Sequence, residues 1–238
     1  MILNAIKKTI ISLIPIGLKI PVISGPLKGK KWIAGAAAGH GKGLSVVMNR
    51  AEPEQLALAL ELLPENGIVF DIGANVGLYS LLLANRAKRV FAFEPFPRNI
   101  EYLSRIIALN NLQNVTIVPC AISDCTDLFS FEPGDNCALG HLSETGNQPV
   151  VAVSCDVFIE KFKSIPDLIK IDVEGAEVSV LQGARKILSE KKPIILLSIH
   201  SDTLRQDCLA LLKEIGYSNI LPINTNDIET ATELLIRK

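Results

Sequence analysis

The chain has 238 residues, of which 48% are hydrophobic and 21% charged, with 24 Lys/Arg against 25 Asp/Glu. These values suit one globular domain and exclude a disordered or supercharged chain. A domain of this size buries about 70% of the surface its unfolded chain exposes, so no staple of disulfide or metal is required for a core. The net charge of −1 conceals an asymmetry. Lys7, Lys8, Lys19, Lys28, Lys30, Lys31, Lys42 and Arg50 all precede the first acidic residue, Glu52, while the remaining 16 Lys/Arg face 25 Asp/Glu and leave residues 52–238 at −9.

Residues 1–51 therefore read as a basic N-terminal extension, an arm or lid packing on a domain that runs from 52 to 238. Ile2, Ile6, Ile10 and Leu13 recur at helical spacing, with Lys7 and Lys8 elsewhere. The uncharged run from Ile10 to Leu18 contains Pro15 and falls far short of the roughly 20 apolar residues that span a bilayer. A packing arm is the plain reading. The sharper one is a segment, residues 1–31, that rests on an anionic membrane face or a lipid-linked glycan.

From residue 53 helical and strand-like stretches alternate. Pro53–Leu63 opens with proline at a first helical position, and Pro64 ends it. Gly67–Gly73 is a buried strand running into a glycine turn, Leu78–Lys88 a helix, Arg89–Glu94 a strand, Pro97–Asn110 a helix and Val115–Pro119 a strand. Residues 127–154 hold two β-like runs around a Gly/Asn/Ser/Thr-rich loop, a hairpin-like insertion. Cys155–Phe162 (helix), Leu168–Val173 (strand), Ala176–Ser189 (helix), Ile194–Ile199 (strand) and Thr203–Ile215 (helix) follow, and the tail from Tyr217 supplies one or two strands. This order implies a Rossmann-like, doubly wound and mostly parallel α/β sheet, with ligands bound beyond the carboxyl ends of its strands.

Five cysteines (Cys120, Cys125, Cys137, Cys155, Cys208), an odd number without CxxC spacing, disfavour zinc and a disulfide framework and point to a reducing cytoplasm. His40, His141 and His200 lie too far apart for an HExxH helix. The strongest local signal is Asp71-Ile-Gly73-Ala74-Asn75-Val-Gly77, between a strand and a helix. Its glycines allow a sharp turn and close approach to a ligand. The spacing is not the GxGxxG of a pyrophosphate loop, which argues against an NAD-dependent oxidoreductase. Glu94, about 20 positions on at the next strand tip, is placed to accept ribose hydroxyls.

DIGANVGLYS, then FEP, Arg98-Asn99, Asn110-Asn111, Ala121-Ile-Ser-Asp124 and Ile169-Lys-Ile-Asp-Val-Glu-Gly-Ala-Glu177 together resemble the FkbM family of class I S-adenosylmethionine-dependent methyltransferases, over roughly residues 53 to 200. The resemblance implies a seven-stranded class I sheet. It also implies that the Asp71–Gly77 loop, Ala74 and Asn75 included, lines the methionine part of the cofactor. Glu94, with Pro95 and Asn99 beside it, would hold the ribose, and Ala121, Ile122 and Asp124 would border the adenine. Asp172 and Glu174 end a strand on the face to which the sulfonium methyl would point.

A hydroxyl acceptor needs alignment with that methyl and a base for its proton, for which Asp172, Glu174, His141 and His200 are the titratable candidates. Two carboxylates and a histidine are also a donor set for a divalent metal, although the spacing does not demand one. Relative to the family pattern, Ser198-Ile199 stands where an acidic residue often precedes the histidine, and Gly39–Met48 lacks aromatic residues, so the substrate pocket has room to differ. The expected function is O-methylation of a hydroxyl on a sugar of a polysaccharide or glycolipid. The alternatives are a small, polyketide-like hydroxyl acceptor or a non-catalytic cofactor-binding module. The acidic balance of residues 52–238 disfavours nucleic acid as a partner, and the expected location is cytoplasmic, peripheral to the inner membrane face if the extension docks there.

Overall fold

The computed structural model describes residues 13–37, 42–133, 140–143, 145–223 and 225–238. The helical spacing at Ile2, Ile6 and Ile10, together with His40 and Cys137, lies outside the described residues. In chain order, an antiparallel pair β1 (Lys19–Pro21) and β2 (Lys31–Ile33) precedes a helical turn α1 (Leu44–Val47) and α2 (Pro53–Leu62). Then come β3 (Ile68–Ile72), α3 (Leu78–Leu83), β4 (Arg89–Phe93), α4 (Pro97–Leu109), β5 (Val115–Val118) and β6 (Ala121–Ser123). Next are β7 (Asp127–Glu132), β8 (His141–Leu142), β9 (Gln148–Ser154), α5 (Cys155–Phe162), β10 (Leu168–Ile171), α6 (Glu177–Gly183) and α7 (Arg185–Glu190). The chain ends with β11 (Ile194–Ser198), α8 (Asp202–Ile215), β12 (Asn219–Pro222) and β13 (Glu233–Arg237).

Helix boundaries follow local chemistry. Proline opens α2 and α4, where its missing N–H has no intrahelical role. Ser154 and Ser201 cap α5 and α8 by accepting from the N–H groups of Val157 and Leu204, and Gly216 closes α8 in the left-handed region. The main sheet has the order β12-β13-β11-β10-β3-β4-β5. Strands β11, β10, β3, β4 and β5 are mutually parallel, and β13 runs antiparallel to both its neighbours. This is the doubly wound, mostly parallel architecture expected of a class I methyltransferase.

Because side chains alternate across a strand, the sheet sorts its residues onto two different faces. Phe70, Ile72, Phe91, Phe93, Ile169, Ile171, Ile195 and Leu197 face the layer that contains α5 to α8. Val69, Val90, Leu168, Leu196 and Leu235 face the other way, into a core completed by Val22, Leu27, Trp32, Ile33, Val46 and Val47 of the N-terminal segment. That segment is also fastened by polar contacts. The Arg98 guanidinium donates to the Ala36 and Gly35 carbonyls at 2.8 and 2.9 Å, and the Asn110 amide bonds the backbone of Lys31 at 2.8 Å in both directions.

Four sequence expectations change. The insertion is a four-stranded sheet of order β6-β9-β7-β8, and it starts at Ala121 because β6 pairs in parallel with β9. His141 sits in a short strand opposite Glu132 rather than in an open loop. The helix read as Ala176–Ser189 breaks at Ala184, and the one read as Leu78–Lys88 stops at Leu83. Among the described residues no helix is long and apolar enough to cross a membrane.

Candidate active site

The functional candidates sit just past the carboxyl ends of four adjacent parallel strands: Gly73 after β3, Glu94 after β4, Asp172 after β10 and His200 after β11. Gly73 takes φ +78°, and a Cβ there would lie 1.8 Å from the Asp172 carbonyl oxygen, so only glycine lets the β3 and β10 loops meet. The Gly73 and Ala74 N–H groups both donate to the Phe93 carbonyl at 3.0 Å, binding this loop to the β4 end. Asn75 follows in the left-handed region, which asparagine tolerates better than most residues.

One cavity opens from this edge towards the insertion. Gly73, Asn75, Glu94, Pro95 and Asn99 form one wall, Ala121, Ile122, Phe131, His141 and Leu142 the opposite one, and Asp172, Val173 and Glu174 the end. Glu94 is 4% exposed. Its Oε2 accepts from Asn75 N–H at 2.7 Å, and its Oε1 accepts from Phe96 N–H at 2.9 Å and from the Asn99 amide at 3.4 Å. Burial pushes its pKa up to about 7 against those hydrogen bonds. A carboxylate has about four acceptor positions, so the three donors hold Glu94 rigidly and leave a free position for a ligand hydroxyl.

A second cavity lies on the opposite side of the Gly73 loop, beneath the N-terminal segment. Trp32, Ser45, Val46 and Glu52 line it from above, and Asp71, Ala74, Tyr79 and Lys170 from the sheet side, while Gly73, Asn75 and Asp172 belong to both cavities. Its floor is a polar row on the face otherwise filled by Val69, Leu168, Leu196 and Leu235. Asp71 is in register with Lys170, and Ser198 with Glu233. Lys170, 1% exposed, donates to Ser198 Oγ and lies 3.6 Å from Asp172 Oδ2 and 3.9 Å from Glu233 Oε2. Burial opposes its charge, but the surrounding carboxylates of Asp172, Glu233, Glu52 and Asp71 hold the ammonium above its usual pKa. Asp71 accepts from Ser80 Oγ at 2.6 Å and is pushed up to about 6 by burial. Tyr79 donates to Glu52 at 2.7 Å. Among the described residues, two buried polar atoms along this cavity, Trp32 Nε1 and Asn75 Oδ1, find no hydrogen-bond partner.

Where the cavities join, Asp172, Glu174 and His200 each bring one donor atom within 4.8 Å of the other two. His200 Nε2 is 3.4 Å from Asp172 Oδ1 and 3.4 Å from Glu174 Oε1, and Nδ1 is 2.6 Å from Glu177 Oε1. The bond to Glu177 raises the His200 pKa, against partial burial.

The sequence candidates thus divide. Gly73, Asn75, Glu94, Pro95, Asn99, Ala121, Ile122, His141, Asp172 and Glu174 line the first cavity, Asp71 and Ala74 line the second, and His200 joins the carboxylates between them. Gly77 lines neither; it caps α3 against Leu103. Asp124 is exposed and outside the lining, with its carboxylate turned to its neighbour Ser123. Sequence reasoning missed Glu177, although it stands in the IKIDVEGAE string, and it missed Trp32, Glu52, Tyr79 and Lys170. The alternation of β10 carried a signal for Lys170, since a lysine amid Ile and Leu in a buried strand requires partners.

The Methyltransferase FkbM domain family matches residues 71–218, more than half of the chain. The chain is 29% identical over 174 residues to the hexuronic acid methyltransferase AglP of Haloferax volcanii, covering 71% of each. Among solved structures, the FkbM methyltransferase of Methylobacillus flagellatus superposes with a TM-score of 0.55 at 22% identity, over 85% of this chain and 56% of that one; this chain thus spans little more than half its length. A Streptococcus mutans chain solved in complex with SAH shares the fold at a TM-score of 0.50 and 15% identity, over 77% of this chain and 95% of that one. With the site at the strand ends where its motif lies, this chain belongs to the methyltransferase FkbM domain family.

Proposed function

We propose that the protein is an S-adenosylmethionine-dependent O-methyltransferase whose acceptor is a sugar hydroxyl. The observation that carries this reading is the pair of cavities meeting at Gly73, Asn75 and Asp172: one has a ribose-ready carboxylate, the other a roofed polar chamber. The residues present fit the cofactor. Glu94 keeps an acceptor position for a ribose hydroxyl, Asn75 Oδ1 is a buried acceptor lacking a donor, and the Gly73 backbone leaves no side chain in the way. Glu52, Asp71, Asp172, Glu174, Glu177 and Glu233 outnumber Lys170 and His200 around the junction, an acidic surplus that favours a cationic ligand. When bound, S-adenosylmethionine supplies a methyl group activated on a sulfonium.

The chain's own residues do the rest. Asp172 and Glu174 accept hydrogen bonds from acceptor hydroxyls and align one of them with the methyl. His141 lines the cavity that Asp172 and Glu174 also line, and takes the hydroxyl proton. The N-terminal segment roofs the acceptor chamber and excludes water. A hexuronic acid methyltransferase among its relatives supports a sugar acceptor, and the basic residues before Glu52 suit an acceptor presented on a lipid at an anionic membrane. Calorimetric titration with S-adenosylhomocysteine and with NAD tests the cofactor: binding of the first alone is expected, and its absence would overturn the reading. Mass spectrometry of cell-envelope glycans with and without the gene tests the acceptor through loss of a methyl increment.

A further inference from the structure

We propose that Asp172, Glu174 and His200 form a divalent-cation site, with Oδ1, Oε1 and Nε2 as ligands, that seats the acceptor oxygen at the junction of the two cavities; this rests on the methyltransferase reading. The spacing is the first argument. His200 Nε2 stands 3.4 Å from each carboxylate oxygen, whereas charge-assisted N–H···O bonds close to about 2.7–2.9 Å. Three ligands arranged tetrahedrally at about 2.1 Å from one ion are separated by about 3.4 Å. Nε2 therefore stands farther from both carboxylates than a charge-assisted hydrogen bond and at the spacing that a shared ion sets, with all three donor atoms within 4.8 Å of one another.

The shell behind them is the second argument. A metal-binding imidazole is oriented by a carboxylate on its other nitrogen, and Glu177 occupies that position, 0% exposed and 2.6 Å from Nδ1. Glu177 Oε1 also accepts from Gly175 N–H at 3.1 Å, which fixes it from a second side. Its Oε2 is buried and has no hydrogen-bond partner among the described residues, so the carboxylate behind the imidazole keeps an acceptor position unused. Location is the third argument. Asp172 lines both cavities and Glu174 the first, which places the ion where acceptor and methyl donor must meet, with its remaining coordination positions open to acceptor oxygens. One imidazole and two carboxylates suit Mn²⁺ or Zn²⁺.

The test titrates the full chain with Mn²⁺, followed by loss of the free-ion EPR signal, beside calorimetry with S-adenosylhomocysteine. One Mn²⁺ per chain is expected, with imidazole nitrogen coupling in pulsed EPR that disappears in His200→Ala. Glu177→Gln should weaken Mn²⁺ binding about 10–100-fold, and both variants should keep their affinity for S-adenosylhomocysteine. Wild-type protein that binds S-adenosylhomocysteine but leaves Mn²⁺ free at millimolar concentration, or that binds it without nitrogen coupling, overturns the site even if a variant fails to fold. Mn²⁺ binding without S-adenosylhomocysteine binding would instead overturn the methyltransferase reading and leave the ion site standing.

Discussion

The two cavities flank one glycine loop, yet they are built in different ways. The side with Glu94 is local: backbone N–H groups within about 20 residues of the motif hold the carboxylate, and the conformation of Gly73 shapes the entrance. The side with Lys170 is assembled from afar. Trp32 and Glu52 come from before the sheet, Asp71 and Lys170 from adjacent strands, and Glu233 from the penultimate one of the sheet order. A site made of backbone tolerates change in distant sequence, whereas a site made of buried charges depends on every partner. The side with Lys170 should therefore be the fragile half energetically, and the side with Glu94 the fragile half sterically.

The largest expected effect is at Lys170. Lys170→Met leaves the largely buried Glu233 carboxylate facing a gap, and removing one partner of a buried ion pair costs about 3–5 kcal/mol; Asp172, 35% exposed, is screened by solvent and adds little. For a chain of this size that lowers Tm by roughly 6–20 °C. The double variant Lys170→Met with Glu233→Gln should regain part of the loss. A wild-type Tm in the single variant would contradict an energetic role for the polar row.

Gly73→Ala probes the other half. Its Cβ would meet the Asp172 carbonyl, and alanine would have to adopt φ +78°. Left-handed strain and overpacking together cost about 2–4 kcal/mol, relieved only by parting the β3 and β10 loops. Loss of S-adenosylhomocysteine binding is expected alongside the lower Tm. Retained binding would show that the entrance has slack.

Gly73 and Lys170 also differ in how far contiguous sequence encodes their settings. The class I sheet and the Glu94 side could be read from sequence because their determinants are contiguous: an apolar run, a glycine turn, an acidic residue at the next strand tip. The roof, Tyr79 with Glu52 and the grip of Glu177 on His200 could not, because each joins segments separated by 23 residues or more. The insertion extends beyond its sequence signal for the same reason, since β6 finds its partner β9 across the whole insertion. Asp124 is implied by a motif alone, and its exposed side chain lies outside the cavity lining.

Glu94 gives an effect of middle size that depends on pH. Glu94→Gln should weaken S-adenosylhomocysteine binding by about 1–3 kcal/mol, or 5–150-fold, as the charged acceptor is lost. In the wild type its folded-state pKa of about 7 lies above the ordinary 4.5, so its ionisation opposes folding. That contribution to stability is complete below about 4.5 and disappears as pH rises through about 7. Binding has the opposite sign, because ribose hydroxyls need the ionised form. Affinity should fall as pH drops through about 7, by up to about tenfold per pH unit. A flat binding profile between pH 8 and pH 6 would remove Glu94 from ribose recognition, and the Gln variant should be flat whatever the wild type does.

The smallest effect sharpens the comparison most, because it separates ligand binding from folding on the fragile side. Trp32 is 0% exposed and its Nε1–H has no partner among the described residues, an arrangement that costs about 1–3 kcal/mol where no ligand answers it. Trp32→Phe removes that donor while keeping most of the apolar contact, so the lost packing and the relieved donor nearly offset one another and Tm should move little. If the donor is reserved for the acceptor, KM for the acceptor should rise while the Kd for S-adenosylhomocysteine stays put, since Trp32 lines only the second cavity. A change in cofactor affinity with no change in acceptor KM would reverse the assignment of the two cavities.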